Sequence, residues 1–198
     1  MANGVTIHLI RHEKTLANVE RRYIGSTDQS IIIANPRQIT LFPVVVYGSA
    51  LKRCKETAQL YFPHCRYVAN SGFNELDFGD FEMKTYAELQ YFLHYRDWID
   101  DPLRVTPPNG ENFAVFQKRV LQTLEQIVQS QDEYTFVVHG GVIRVILAAF
   151  LPNAPGFSQV QAQHHTQYTL QWDTLDAFKE GSRCISYSEA YLTEKENM

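Results

Sequence analysis

Short β-branched runs alternate along the chain with longer stretches of helical spacing. The first run, residues 5–10, ends in Arg11-His12 and then turns polar. That predicts a buried strand delivering two basic side chains to its carboxyl edge. Residues 44–47, 66–69 and 134–138 predict further strands, and 168–172 and 184–187 two more. Leu51, Cys54, Ala58 and Tyr61 recur near helical spacing up to Pro63, with Ser49 as the expected cap. Phe113, Phe116, Val120, Leu121, Leu124, Ile127 and Val128 line one face of a long helix within residues 111–130. Residues 142–151 predict an apolar helix that begins at Gly140-Gly141 and stops before Pro152. Short helices are expected within 15–22 and opening at Pro36. The aromatic-rich stretch 85–99 is expected as a helix covering one side of the sheet. Residues 70–83 are loop-like and carry Glu75, Asp77, Asp80 and Glu82, and the charged tail from Glu189 is expected to fray. Strands alternating with helices predict one α/β domain over residues 1–198, its sheet mostly parallel.

Composition narrows the class. With 198 residues, 44% hydrophobic and 20% charged, the chain is a soluble globular protein with a substantial core. A net charge of -4 argues against wholesale nucleic-acid binding but leaves room for a local basic pocket. Cys54, Cys65 and Cys184 have no metal-like spacing and read as reduced thiols of a cytoplasmic protein. No apolar stretch approaches the roughly 20 residues of a membrane span. The N-terminus also lacks a signal-like pattern.

Candidate chemistry begins with two strands, far apart in sequence, that both end in histidine: His12 and His139. Ligand sites in open α/β sheets gather at the carboxyl ends of strands, so both histidines are expected at one site. Other histidines read as structural. His8 lies inside the first strand as a packed or hydrogen-bonded residue, and His164-His165 are expected at the surface, not as a metal pair.

Ordered blocks then carry a family resemblance. Leu9-Ile10-Arg11-His12-x-x-Thr15-x-x-Asn18 resembles the signature of the histidine phosphatase superfamily, also called the phosphoglycerate mutase-like family. Ser49-x-Leu51-x-Arg53-Cys54-x-x-Thr57-Ala58 resembles its second arginine motif, and the segment from Asn74 through Glu75 to Glu82 its acid loop. Val138-His139-Gly140-Gly141 matches its second-histidine motif. Pro107-Pro108-Asn109-Gly110-Glu111 is similar to the element preceding the long helix in α-ribazole phosphatases. The resemblance implies a three-layer αβα sandwich and a phosphomonoesterase. It assigns His12 as nucleophile, Glu75 as acid and base, and Arg11, Arg53, His139, Asn18 and Gly140 to the phosphate, with Thr15 and Ser49 as weaker candidates. The physical reading agrees, because a phosphate dianion needs fixed positive charge and aimed donors. Implied as well are a small phosphorylated metabolite as partner, a possible homodimer, and neither cofactor nor metal.

Departures from the pattern are equally specific. Glu13 and Met83 stand where the family usually has glycine, and Phe81 where it has tryptophan. Glu13 is expected to turn outward or to pair with Lys14 or a nearby arginine. Asn35-Pro36-Arg37-Gln38-Ile39 poorly represents the family's first peripheral helix start, and the interval 28–49 is short. Lys14, Arg21, Arg22 and Lys52 are weighed as a basic rim. Phe73, Phe78, Phe81, Tyr91, Phe92 and Tyr95 are weighed as a lid, with core favoured for most. Two rivals to a phosphatase stand beside it: a cofactor-dependent mutase, and a phosphate-binding domain without turnover. Only residues 84–105 fill the interval where mutases carry an insertion, which favours the phosphatase.

Overall fold

A computed structural model describes residues 4–194. In chain order the strands are β1 (Val5–Arg11), β2 (Val45–Gly48), β3 (Arg66–Ala69), β4 (Glu133–Val138), β5 (Thr166–Trp172) and β6 (Ser186–Tyr191). The helices are α1 (Leu16–Val19), α2 (Lys52–Tyr61), α3 (Tyr86–Leu89), α4 (Leu93–Asp100), α5 (Phe113–Ile127), α6 (Gly140–Phe150) and α7 (Leu175–Lys179). The sheet runs β3-β2-β4-β1-β5-β6, parallel from β3 to β1, with β5 and β6 antiparallel at one edge. This is a mostly parallel α/β sandwich.

Strand alternation sorts the core. Ile7, Leu9, Phe136 and Val138 face α5 and α6 in the larger cluster, whereas Ile10, Val46 and Val137 face Cys54, Ala58 and Tyr61 of α2. On α5, Phe113, Phe116, Val120, Thr123 and Leu124 are buried, the i, i+3, i+7 stripe expected of a helix laid on a sheet. Each fully buried Phe, Leu or Ile contributes about 1.5–3 kcal/mol, so the two clusters fix the register of β1 against β4.

Several expectations change. No helix opens at Pro36: residues 32–44 contain none, and Arg37 instead bridges to Glu194. Residues 85–99 form two short helices, and Phe81, Leu89, Tyr95 and Trp98 pack as a separate cluster instead of covering the sheet. Ser49 is not the N-cap of α2. That position is Leu51, whose N–H the Ser49 hydroxyl accepts at 3.0 Å. Helix α7 was not anticipated, and β6 starts at Ser186 instead of Cys184. The tail is ordered through Tyr191 of β6, and Leu192 is buried; residues 195–198 lie outside the described residues. Among the described residues no helix is long and apolar enough to cross a membrane.

Candidate active site

The parallel strands β1, β4 and β2 all end at one rim, and each supplies part of the site. Past β1, the His12 N–H bonds Val138 O of β4 at 3.0 Å, so the two histidine-bearing strand ends are stitched together. His139 is the N-cap of α6, and the His12 and His139 ring centroids lie 5.1 Å apart. From α2, the Arg53 Nε donates to His139 Nδ1 at 3.2 Å. Its two other nitrogens donate to Gly25 O at 2.7 Å and Thr27 O at 2.8 Å. Each nitrogen of Arg53 thus already has a partner, so the guanidinium is not a free fork.

Tautomers follow from these partners. His12 Nδ1 lies 2.6 Å from Glu13 O, a pure acceptor, so Nδ1 carries the hydrogen and Nε2 holds a lone pair. His139 Nδ1 accepts from Arg53, which puts its hydrogen on Nε2, 3.5 Å from the Cys54 sulfur. Burial, then Arg53, then neighbouring charge hold both histidines well below the ordinary value of 6.5, so both rings are neutral near pH 7. Burial likewise pushes the Cys54 thiol up to about 12, leaving it inert as a nucleophile.

A cleft of about 600 Å³ opens beside this centre, its polar lining including Arg11, Asn18, Glu75, Gly140, Gly141 and Arg144. Arg11 gives Nη1 to Ala162 O at 2.6 Å, while its buried Nε has no hydrogen-bond partner among the described residues. Glu75 accepts from Leu76 N at 3.0 Å and from Gly141 N at 2.8 Å. Glycine at 141 lets the Glu75 carboxylate approach the backbone: a Cβ there would sit 2.3 Å from it and displace the acid. Thr15 is fully buried as the N-cap of α1, in a reciprocal capping box with Asn18. Thr15 therefore serves the helix start, and Asn18 faces the cleft with its oxygen already used. Ser49 donates to Asn74 Oδ1 at 2.9 Å, tying the second arginine motif to the acid loop. Among the weighed rim and lid residues, Arg22 and Phe78 line the cleft; Phe73, Phe81 and Tyr95 are core, and Tyr91 and Phe92 are exposed.

Supporting residues escaped the sequence reading. Arg119 of α5 donates to Gly72 O, Asn74 O and Glu75 O at 3.0, 2.7 and 3.0 Å and pairs with Glu111 at 2.7 Å. Glu82 accepts from the backbone of Gly25, Ser26 and Thr27, fixing the loop whose carbonyls hold Arg53. His164 and His165 are half-buried and turned inward instead of lying free at the surface: His164 Nδ1 meets His12 O at 2.8 Å, and His165 Nε2 meets the Glu13 carboxylate at 2.8 Å. Glu13 itself is buried instead of turned outward, and it pairs with Arg37 at 3.0 Å. His8 is the structural histidine expected, held by Thr169 and Glu133. Met83 has φ +61°, the left-handed conformation that explains the usual glycine there. Glu13 has no such angle, so a side chain is accommodated without strain.

Comparison with known proteins agrees with this geometry. A family model, the histidine phosphatase superfamily (branch 1), matches residues 7–179. An adenosylcobalamin/α-ribazole phosphatase of Salmonella typhimurium is 30% identical over 158 residues, 72% of this chain and 78% of that protein. A metal-independent phosphoserine phosphatase of Arabidopsis thaliana is 28% identical, covering 71% of this chain and 66% of that protein. The crystal structure of the α-ribazole phosphatase from Shigella flexneri superposes with a TM-score of 0.71 at 23% identity, over 83% of this chain and 89% of that one. The chain belongs to branch 1 of the histidine phosphatase superfamily and is a phosphatase enzyme.

Proposed function

We propose that the protein is a metal-independent phosphomonoesterase that hydrolyses a small organic phosphate through a phosphohistidine on His12. One observation carries this reading. The bond from His12 Nδ1 to Glu13 O leaves the Nε2 lone pair free, in a neutral ring near Arg11, whose buried Nε lacks a partner. A phosphoryl oxygen would satisfy that donor, and in-line attack by Nε2 would break the P–O ester bond. Arg11, Arg53 and the Nε2–H of His139 stabilise the charge spread over the equatorial oxygens. Glu75 in its protonated form gives its proton to the leaving alkoxide. The resulting carboxylate takes a proton from water as the water oxygen attacks phosphorus and the P–N bond breaks, returning inorganic phosphate and the free imidazole.

Relatives named for α-ribazole and phosphoserine support a small phosphorylated metabolite. The outer walls, with Tyr23, Phe78, Trp98, Phe113 and Phe157, support an organic group with an apolar or ring-shaped face, and make nucleotide-like monophosphates a useful arm of a substrate panel. Acid-quench labelling with a phosphorylated substrate tests the mechanism. Wild-type protein yields an acid-labile phosphoenzyme, releases phosphate and keeps its rate in EDTA, while His12→Ala yields neither label nor turnover. Full activity of His12→Ala, or collapse of the wild-type rate with chelator, would remove the proposal.

A further inference from the structure

The carbonyl that receives His12 Nδ1–H belongs to a residue whose polar atoms are all engaged. The Glu13 N–H donates to Thr57 Oγ1 at 2.8 Å, and its carbonyl accepts from His12. One carboxylate oxygen accepts from Arg37 Nε at 3.0 Å and from the Tyr61 hydroxyl, and the other lies 2.8 Å from His165 Nε2. These partners come from three places: the helix-free segment before β2, the end of α2, and the turn before β5. Glu13 is only 3% exposed, so rotating its side chain away would strand the buried Arg37 and Tyr61 groups.

Two explanations compete. A purely structural ion pair would tie the helix-free segment to the sheet and lower stability when removed, leaving chemistry per folded molecule unchanged. The alternative follows from covalent geometry: the clamped carboxylate and the orienting carbonyl share one residue, so fixing the first restricts the second. The preceding peptide is gripped as well, through His164 Nδ1 on His12 O. Hydrogen bonds are thus concentrated on the two peptide units that set the aim of the His12 ring.

We infer that Glu13, held by Arg37, Tyr61 and His165, is a positioning residue that locks the Nδ1–H tautomer of His12 and aims Nε2. This rests on the reading of His12 as nucleophile and adds a task for the side chain at position 13.

The test pairs nitrogen-15 NMR of histidine-labelled full-length protein with single-turnover phosphorylation by an aryl phosphate. His12→Asn identifies the His12 signals. Glu13→Ala should mix the His12 tautomers and slow phosphorylation by roughly 30- to 100-fold, the scale of a displaced reacting group. Inhibition by inorganic phosphate should stay within about twofold, because ground-state anion binding is spared. Glu13→Gln, which keeps an oxygen acceptor for Arg37 and Tyr61, should recover to within about fivefold of wild type. Tyr61→Phe removes one clamp with little change of shape and serves if Glu13→Ala does not fold; it should show the same effects, smaller. A wild-type His12 tautomer in the folded variant, or a wild-type phosphorylation rate despite lower stability, overturns the inference. Should His12→Ala retain turnover, the nucleophile assignment fails, and tautomer mixing in the Glu13 variant then speaks only for orientation of the ring.

Discussion

At the scale of single residues, the site works by holding neutral histidines beside permanent cations. Burial, with the nearby guanidinium groups of Arg53 and Arg11 added, keeps His12 unprotonated. A protonated ring would lose the lone pair that the proposed attack on phosphorus requires. The role proposed for Glu75 has the opposite need, since an acid and base gains and loses a proton in each cycle. Its two backbone donors, Leu76 and Gly141, hold it in the cleft without occupying it with another side chain. Glu75→Gln should therefore slow hydrolysis of an alkyl phosphate by about 10²–10⁴-fold, the usual share of general acid–base catalysis. An aryl phosphate with a good leaving group should lose far less in the first chemical step, read as the burst rate in stopped flow. Equal slowing of both substrates in that step would contradict an acid at position 75.

At the scale of elements, the acid loop takes its position from α5. Arg119 carries three carbonyls of residues 72–75 on one guanidinium, itself paired with Glu111. Arg119→Ala should lower stability by about 1–3 kcal/mol, since the side chain is only partly buried and water replaces some bonds. It should also reduce kcat at least as much as it raises KM; urea unfolding and steady-state kinetics together check both. Unchanged kcat would mean that the loop holds its own shape. Sequence periodicity finds α5 and α6 because their apolar stripes are strong, yet it has no signal for Arg119, which resembles any cation on a polar helix face. It also runs α3 and α4 together, since the break around Gln90–Phe92 contains neither glycine nor proline. Arg11, His12 and His139 were legible because strand ends carry them, and Arg53 and Glu75 because short motifs flank them. Their supports were not, because they come from elements distant in sequence, Arg119 from α5 and His164 and His165 from the turn before β5. His165 shows why: at φ +59° it leaves regular structure, so adjacent histidines can both reach the 12–13 peptide region.

At the scale of the whole molecule, buried neutral histidines link the fold to pH. His12 and His139 lie well below 6.5, chiefly through burial, and burial followed by Arg11 brings His164 down to about 3. In the unfolded chain each titrates near 6.5, so below that pH the unfolded state binds more protons and unfolding is favoured. Stability should be level above about pH 6.5 and then fall by up to about 1.4 kcal/mol per pH unit for each such histidine. Urea midpoints between pH 7.5 and 5 measure the slope, and His164→Asn should reduce it by one histidine's share. A flat profile would mean that these rings protonate within the native state. Arrangement at this scale has an evolutionary consequence. Phe81, Leu89, Tyr95 and Trp98 pack among themselves, apart from the sheet, and Trp98 forms part of the outer cleft wall. On the proposed function, mutations in that annex would redraw which organic group is welcomed while the cationic residues keep their places. Preference can drift across a lineage without the chemistry having to be reinvented.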